Sequence, residues 1–305
     1  MKTIVIHWPS LTSLGIAAIL LGCLIIFRKY HLLKRKRPPF AKNLLRSPGH
    51  SLVQRLDQIN QEINISLFSL LSVPLFICAV YISQLYFAQK QITTVGIVTI
   101  VFLCSTSMFY FLFNFSRCVR QKRAARMAYD GHVAVAQELN QLMLEGYHVY
   151  HDFPADEFNI DHVIVGHTGV FAVKTLARST PKSGDRMEDA TVTYDGRILY
   201  FPKGDDWKTI DLAKHQASWL SNWIHHVVGE PLAVRAVVTL PGWYVKRTSA
   251  EGIPVINPQQ LPSLFTYIKP RHLSEEMITR IANQIEQKCR DGEPDSPSYD
   301  NSEKC

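Results

Sequence analysis

The chain has 305 residues, a formal net charge of +7 and 47% hydrophobic residues. That length fits one membrane module and one soluble domain of ordinary size. The apolar residues are concentrated in about the first 115 positions, which excludes a single globular domain throughout.

Three apolar runs are long enough to cross a bilayer, which takes about 20 mostly apolar residues. They cover about residues 4–27, 65–87 and 92–115, and none contains Asp, Glu, Lys or Arg. The alternative for any one of them is a buried core helix of a soluble protein. We therefore predict an α-helical membrane module of about three spans over residues 1–117.

Basic residues predict the orientation of this module. They follow the first run, in the loop 28–64, and the third run, between 117 and 126. Because cytoplasmic loops carry an excess of Lys and Arg, we expect the amino terminus outside an inner (plasma) membrane and the carboxy-terminal domain in the cytoplasm. The clusters near 28–46 and 117–126 should attract anionic lipid head groups. Nucleic-acid contact is the alternative for both.

Residues after a basic linker, 118–129, predict a soluble α/β domain over 130–288, with a polar and disordered tail at 289–305. Leu52, Leu56, Ile59 and Ile63 also predict an amphipathic helix before the second span. The expected elements are a helix near 133–143, strands at 147–151, 160–165 and 170–174, a hairpin of 191–194 and 197–201, a helix at 209–228, strands at 232–240 and 253–256, and helices near 258–267 and 273–288. This order suits a mixed sheet flanked by helices.

Several stretches of the soluble part, in one order, resemble the nuclease-related (NERD) domain family. The stretches are Gly146–Pro154, Asn159–Gly166, Gly169–Val173, His215–Leu220, Val228–Pro231 and Leu240–Trp243. The resemblance covers about residues 130–258 and implies a restriction-endonuclease-like fold in a bacterial protein.

The resemblance also implies a metal site: a helix glutamate, an aspartate that opens the second strand, and a Glu-x-Lys pair on the third. Magnesium prefers carboxylate and water oxygens, and a bound ion activates water and neutralises phosphodiester charge. The lysine adds positive charge where the phosphate builds negative charge. Mg²⁺ or Mn²⁺ is thus expected only if this chemistry is retained.

The sequence departs from that pattern at most of its positions. Asp161 stands at the expected aspartate, but His132 replaces the helix glutamate. Lys174 and Leu176 replace the Glu-x-Lys pair. Strand alternation should turn positions 161, 174 and 176 toward one pocket. One carboxylate beside an ammonium group is a poor magnesium site, so we predict that Asp161 is a salt-bridged structural residue.

A helix glutamine position is also altered. Leu212 stands where many relatives have a first glutamine, whereas Gln216 is kept. We take Asp161, Lys174 and Gln216 as vestigial catalytic residues, with no bound metal unless Asp161 holds one.

Two alternatives keep a metal in the domain. In the first, Lys174 is a migrated catalytic lysine, and Glu138, Asp156 or Glu157 supplies the second carboxylate. In the second, histidines hold a transition metal. The candidates are His132, His148, His151, His162, His167 and His215, and no pair has a tight helical spacing. Sequence order alone predicts scattered, solvated or hydrogen-bonded histidines.

The reading that these observations favour is a membrane-anchored, catalytically inactive domain that binds DNA or a protein as a scaffold. The chain has no P-loop, no Gly-x-Gly-x-x-Gly and no Gly-x-Ser-x-Gly motif. A function carried by the spans and regulated by the soluble domain is the other possibility. The lack of charged residues in the spans argues against an ion path.

Overall fold

A computed structural model describes residues 44–87, 91–180, 190–261, 263–264 and 273–291. These residues form two compact units. One unit contains residues 56–123, and the other contains residues 44–55 and everything from 124 onward. The predicted first span, 4–27, and the predicted tail beyond 291 lie outside the described residues.

Two long helices come first, α1 (His50–Phe87) and α2 (Thr94–Met143). Both are long and apolar enough to cross a membrane, by length and composition. They contain the second and third predicted spans. The predicted amphipathic segment is the first part of α1, and Pro74 lies inside the same helix.

Helix α2 differs from the prediction of a linker at 118–129 followed by a separate helix. It is one continuous helix of 50 residues. Arg, Lys, Gln and Ala, which all favour the helix, fill most of 117–128, and no proline interrupts them. Gly131 lies inside this helix at a close contact: a Cβ there would come within 2.6 Å of the Ala177 Cβ, so a larger residue would not fit.

The thiols of Cys78 in α1 and Cys104 in α2 lie 3.8 Å apart. We expect mild oxidation of the full-length protein to join them in an intramolecular disulfide, seen as a linked peptide by mass spectrometry. Cys118, whose thiol lies 3.7 Å from Glu62 Oε2, provides the control. Cys118→Ser should leave the linked peptide in place and Cys78→Ser should remove it. Linkage of Cys104 to Cys118 would contradict this packing.

Nine strands and two further α-helices follow in the described residues. The strands are β1 (His148–Pro154), β2 (Asn159–Gly166), β3 (Gly169–Thr175), β4 (Thr191–Tyr194), β5 (Leu199–Phe201), β6 (Gly204–Asp206), β7 (Val234–Thr239), β8 (Tyr244–Arg247) and β9 (Val255–Ile256). Helix α3 (Lys208–Val228) lies between β6 and β7, a short 3-10 helix (Pro258–Gln260) follows β9, and α4 (Glu275–Asp291) comes last.

The main sheet has the order β1-β2-β3-β7-β9. Strands β1, β2 and β3 are antiparallel, whereas β7 and β9 run parallel to β3. The mixed α/β architecture expected from the sequence is therefore confirmed. Helix α4 continues to Asp291, past the predicted end at residue 288, because Cys289 is buried on its inner face.

A second sheet, β6-β5-β4-β8, was only partly predicted. The hairpin of β4 and β5 was expected, but β6 and β8 were not. Strand β6 is Gly-Asp-Asp and β8 is Tyr-Val-Lys-Arg, so neither shows the apolar alternation that identifies a strand. The first predicted helix after β9 is described only as the 3-10 helix and three flanking residues.

The core lies on both faces of the main sheet. Val170 and Ala172 of β3 belong to the larger cluster with α3 and α4, and Phe171 and Val173 belong to a smaller cluster with α2. A strand that is covered on both faces reads as a continuous apolar run, which explains why β3 was readily predicted.

Gly252 is the backbone position least able to accept a side chain. Its φ is +91°, and an added Cβ would collide with the Gly196 carbonyl oxygen and lie 2.5 Å from the Tyr194 hydroxyl. We expect Gly252→Ala to destabilise the unit that contains residues 44–55 and 124 onward, called the soluble unit below, by about 3 kcal/mol. The loss comes from overpacking and backbone strain together. Thermal unfolding in detergent measures this loss.

Gly204→Ala is the matched control for that substitution. Gly204 also has a positive φ, +105°, but nothing lies within 4 Å of an added Cβ. Alanine at position 204 has the backbone strain without the collision, so the loss of unfolding free energy should be clearly smaller than in Gly252→Ala. Equal losses in the two variants would contradict the described approach of Gly252 to Gly196.

Candidate functional site

Three of the sequence-predicted positions meet at one end of the main sheet. Pairing of His162 with Val173 in the β2–β3 hairpin brings Asp161 beside Lys174. The Lys174 Nζ lies 2.9 Å from Asp161 Oδ1. Helix α2 places His132 on the other carboxylate oxygen, with Nε2 3.7 Å from Oδ2. Position 132, which the resemblance assigns to a helix glutamate, is therefore in contact with Asp161.

Both oxygens of Asp161 already have partners. Oδ1 accepts from the Lys174 ammonium, and Oδ2 accepts from the backbone N–H of Thr175 at 2.7 Å. Asp161 is only 5% exposed, so water cannot take over these bonds. These two bonds join Asp161 of β2 to Lys174 and Thr175 of β3.

The donor set at this position does not fit a magnesium ion. A hard divalent ion needs several oxygen ligands, and Asp161, the one carboxylate in contact here among the described residues, is engaged by an ammonium group. Among the residues that the structure describes, no three His, Cys, Asp or Glu side chains are arranged to hold a metal.

Leu176, Leu212 and Gln216 have other neighbours in the part of the chain that the structure describes. Leu176 packs against the larger core cluster, and Leu212 is 40% exposed on α3. Gln216 is buried, and its Nε2 donates to the Asn159 carbonyl oxygen at 3.1 Å. Gln216 therefore joins α3 to the first residue of β2, two positions before Asp161, and positions this strand without contacting the carboxylate.

The acidic residues considered as migrated ligands have other contacts. Glu138 accepts a hydrogen bond from Gln141 at 3.2 Å on the surface of α2. Asp156 is 73% exposed and lies 4.0 Å from the Lys288 ammonium. Glu157 is exposed in the same loop. None of these recorded contacts brings a second carboxylate to Asp161.

Three histidines form a cluster beside the Asp161–Lys174 pair, which corrects the expectation that the histidines are scattered. Strand pairing sets His151 opposite His162, with their Nδ1 atoms 2.8 Å apart. His162 Nε2 lies 3.2 Å from the Thr175 hydroxyl. The His132 ring centroid lies 5.6 Å from that of His162, with the two rings inclined at 44°. The cluster comes from strand register and α2 packing, which spacing along the chain does not reveal.

The other three histidines lie outside this cluster. His167 Nε2 lies 3.3 Å from the Tyr147 hydroxyl, and His215 packs on the Phe158 ring at 5.5 Å. His148 is exposed at the start of β1. They follow the expectation of solvated or hydrogen-bonded side chains.

Burial keeps the clustered histidines neutral. Burial, with His132 nearby, lowers the pKa of His151 to about 4. Burial, reinforced by His151, His132 and Lys174, also lowers the pKa of His162 well below its usual value. Burial lowers the pKa of His132 too, although Asp161 opposes this shift. The cluster therefore adds no positive charge beside Asp161, whose ion-pair partner is the Lys174 Nζ at 2.9 Å.

Asp152 is an important residue that sequence reasoning missed. It is 2% exposed, has a φ of +51° and accepts two hydrogen bonds from Ser51. An acidic residue within the otherwise apolar and aromatic run of β1 was the available signal. Its partners lie about a hundred positions earlier, so no local pattern could identify them.

Comparison with known families confirms the resemblance read from the motifs. Residues 128–241 match the family model described as the nuclease-related domain, NERD. No curated protein sequence and no solved structure matches the chain significantly. The matched range begins within α2 and ends at Pro241, so it includes the Asp161–Lys174 pair and the histidine cluster.

Proposed function

We propose that the nuclease-related domain of this chain is a membrane-anchored, cytoplasmic binding module that has lost metal-dependent nuclease chemistry. It holds DNA or a protein at the former nuclease cleft or its rim. The observation that carries this proposal is the 2.9 Å contact between the Lys174 ammonium and the Asp161 carboxylate. That ammonium occupies the neighbourhood in which the family pattern has a second carboxylate.

The charge balance supports the loss of chemistry. A glutamate at position 174 would add a negative charge to Asp161 and favour a divalent cation. Lys174 instead brings a positive charge into direct contact, so the pair is already neutral before any ion arrives. A cation that enters must displace the ammonium and pay for desolvation without a second acidic ligand.

The apolar helices support the membrane anchor. Their hydrophobic side chains are widely exposed, as lipid-facing side chains are. Examples are Leu75 (70%), Ile82 (63%), Val95 (76%) and Phe109 (73%). Arg117, Arg120, Lys122 and Arg123 are exposed within α2, after its apolar part. They suit anionic head groups on a cytoplasmic surface, with a bacterial inner membrane as the setting.

A cleavage assay on the full-length protein in lipid nanodiscs tests the catalytic part. We expect no cleavage of duplex or single-stranded DNA above the background of empty nanodiscs, with either Mg²⁺ or Mn²⁺. Robust metal-dependent cleavage that disappears in Asp161→Ala would overturn the proposal in favour of an active nuclease with migrated ligands.

Fluorescence anisotropy with a labelled duplex then tests the choice between the two binding partners. Binding that weakens steeply with salt supports a DNA module, because phosphate contacts release counterions. Absence of binding at low salt would remove DNA and leave a protein as the partner.

A further inference from the structure

The start of α1 is held by a carboxylate from β1. Asp152 Oδ2 accepts from the backbone N–H of Ser51 at 2.8 Å, and Oδ1 accepts from the Ser51 hydroxyl at 2.7 Å. Ser51 lies in the first turn of α1, where backbone N–H groups have no partner within the helix. A negative charge at that end also suits the helix dipole. Asp152 therefore caps α1 from a distant part of the sequence.

Arg46 contacts the same residue from the segment before the helix. Its Nη1 donates to the Asp152 carbonyl oxygen at 3.2 Å and lies 3.8 Å from Oδ2. The side chain of Arg46 is only 12% exposed. Residues 46–51 thus bind both the backbone and the carboxylate of Asp152.

The backbone at Asp152 needs that support. Its φ of +51° is the one positive φ at a non-glycine position among the described residues. Side-chain-bearing residues reach this region at a cost and persist there where their surroundings hold them. The β1–β2 ladder pairs His151 with His162 and then Phe153 with Ile160, so Asp152 interrupts it. The interruption lies directly beside the histidine cluster.

We propose that Asp152 is a clasp through which the amino end of α1 sets the shape of β1 at the histidine cluster. Residues 50–55 of α1 belong to the same compact unit as β1, so a shift of this first part of the helix moves Ser51 against Asp152. Withdrawal of Ser51 leaves the buried Asp152 carboxylate without the Ser51 N–H and hydroxyl donors, at a cost in free energy. Asp152 then leaves its positive-φ conformation, so that the carboxylate reaches other partners. His151 then moves relative to His162, and β2 follows at Asp161. The clasp concerns how this site is shaped and does not depend on what the site binds.

Hydrogen–deuterium exchange of the full-length protein tests the clasp. Asp152→Gly removes the carboxylate, while glycine adopts the positive φ at no cost, so the variant separates the clasp from simple backbone strain. Ser51→Ala is a milder change that removes one bond to the carboxylate. Arg55→Ala, an exposed change in the same part of α1, is the matched control.

We expect exchange to rise about tenfold in Asp152→Gly, both at residues 50–54 and at residues 148–151 and 160–162, because a lost cap and its coupled strand open together. Ser51→Ala should raise exchange in the same segments to a smaller extent, and it decides the question if Asp152→Gly does not fold. Arg55→Ala should change neither region. A rise confined to residues 50–54, or no rise in either region, would overturn the proposal.

Discussion

Lys174→Met is expected to destabilise the soluble unit by about 3 kcal/mol, because it leaves the buried Asp161 carboxylate without its balancing charge. The Lys174 ammonium lies 2.9 Å from a carboxylate whose side chain is 7% exposed. Methionine has a similar length and apolar stem, so the packing changes little. Thermal or urea unfolding of the full-length protein in detergent measures the loss.

The double variant Asp161→Asn with Lys174→Met separates charge balance from packing. It has neither charge, and the amide oxygen still accepts from the Thr175 N–H. Neutral replacements of buried ion pairs are often close to wild type in stability, so we expect the double variant to recover to within about 1 kcal/mol. A loss in the double variant equal to the sum of the losses in Asp161→Asn and Lys174→Met would contradict a neutral, self-contained pair.

Lys288→Met provides a comparison at a pair whose carboxylate is exposed, with a half-buried lysine that also lies over the Trp219 and Trp223 rings. Lys288 lies 4.0 Å from Asp156, whose side chain is 73% exposed. Exposed pairs of this kind contribute about 0–1 kcal/mol. A loss at position 288 as large as that at position 174 would mean that the effect comes from lysine packing and not from burial of the partner charge.

Acid is expected to destabilise the soluble unit through the histidine cluster. Burial lowers the folded-state pKa of His151 from 6.5 to about 4. The unfolded chain therefore takes up its proton first as the pH falls. The stability contributed by neutral His151 is complete above pH 6.5 and is lost between pH 6.5 and pH 4, by about 3 kcal/mol. His132 and His162, whose pKa values are also lowered by burial, act in the same direction.

Unfolding midpoints between pH 7.5 and pH 4 measure this dependence. The variant His151→Gln stays neutral over the range, so its stability should fall less steeply than that of the wild type. His226→Gln, an exposed change on α3, should keep the wild-type slope. Carboxylates titrate in every variant and cancel in the comparison. Equal slopes for wild type and His151→Gln would contradict the neutral, buried state of the cluster.

Much of the sheet could be predicted because its strands are local and apolar. Strands β2 and β3 were expected from two apolar runs around the turn 166–169, and their hairpin brings position 161 to position 174. Strands β6 and β8 were missed because their short polar sequences gain order from pairing with β5 and β4. The continuity of α2 was missed because basic residues were taken for a linker, although they favour a helix.

The surroundings of the site depend on contacts between distant residues. His132, His151 and His162 come from three elements, and only the register of β1 with β2 and the packing of α2 bring them together. The hydrogen bonds of Asp152 to Arg46 and Ser51 join residues that are 106 and 101 positions apart in the sequence. Spacing rules act within an element, so they do not find such clusters.

Those bonds also determine which protein to use in binding experiments. A fragment that begins near residue 126 would lack Arg46 and Ser51, which pack with the soluble unit. The full-length chain is therefore the appropriate sample for metal binding.

Calorimetric titration of the full-length protein with Mn²⁺ tests the central claim most directly. A variant with the family pattern restored, His132→Glu with Lys174→Glu and Leu176→Lys, serves as the positive control, and Asp161→Ala serves as the negative one. We predict no binding heat above dilution for the wild type at millimolar Mn²⁺, and binding in the restored variant. Saturable binding by the wild type that is lost in Asp161→Ala would contradict the account.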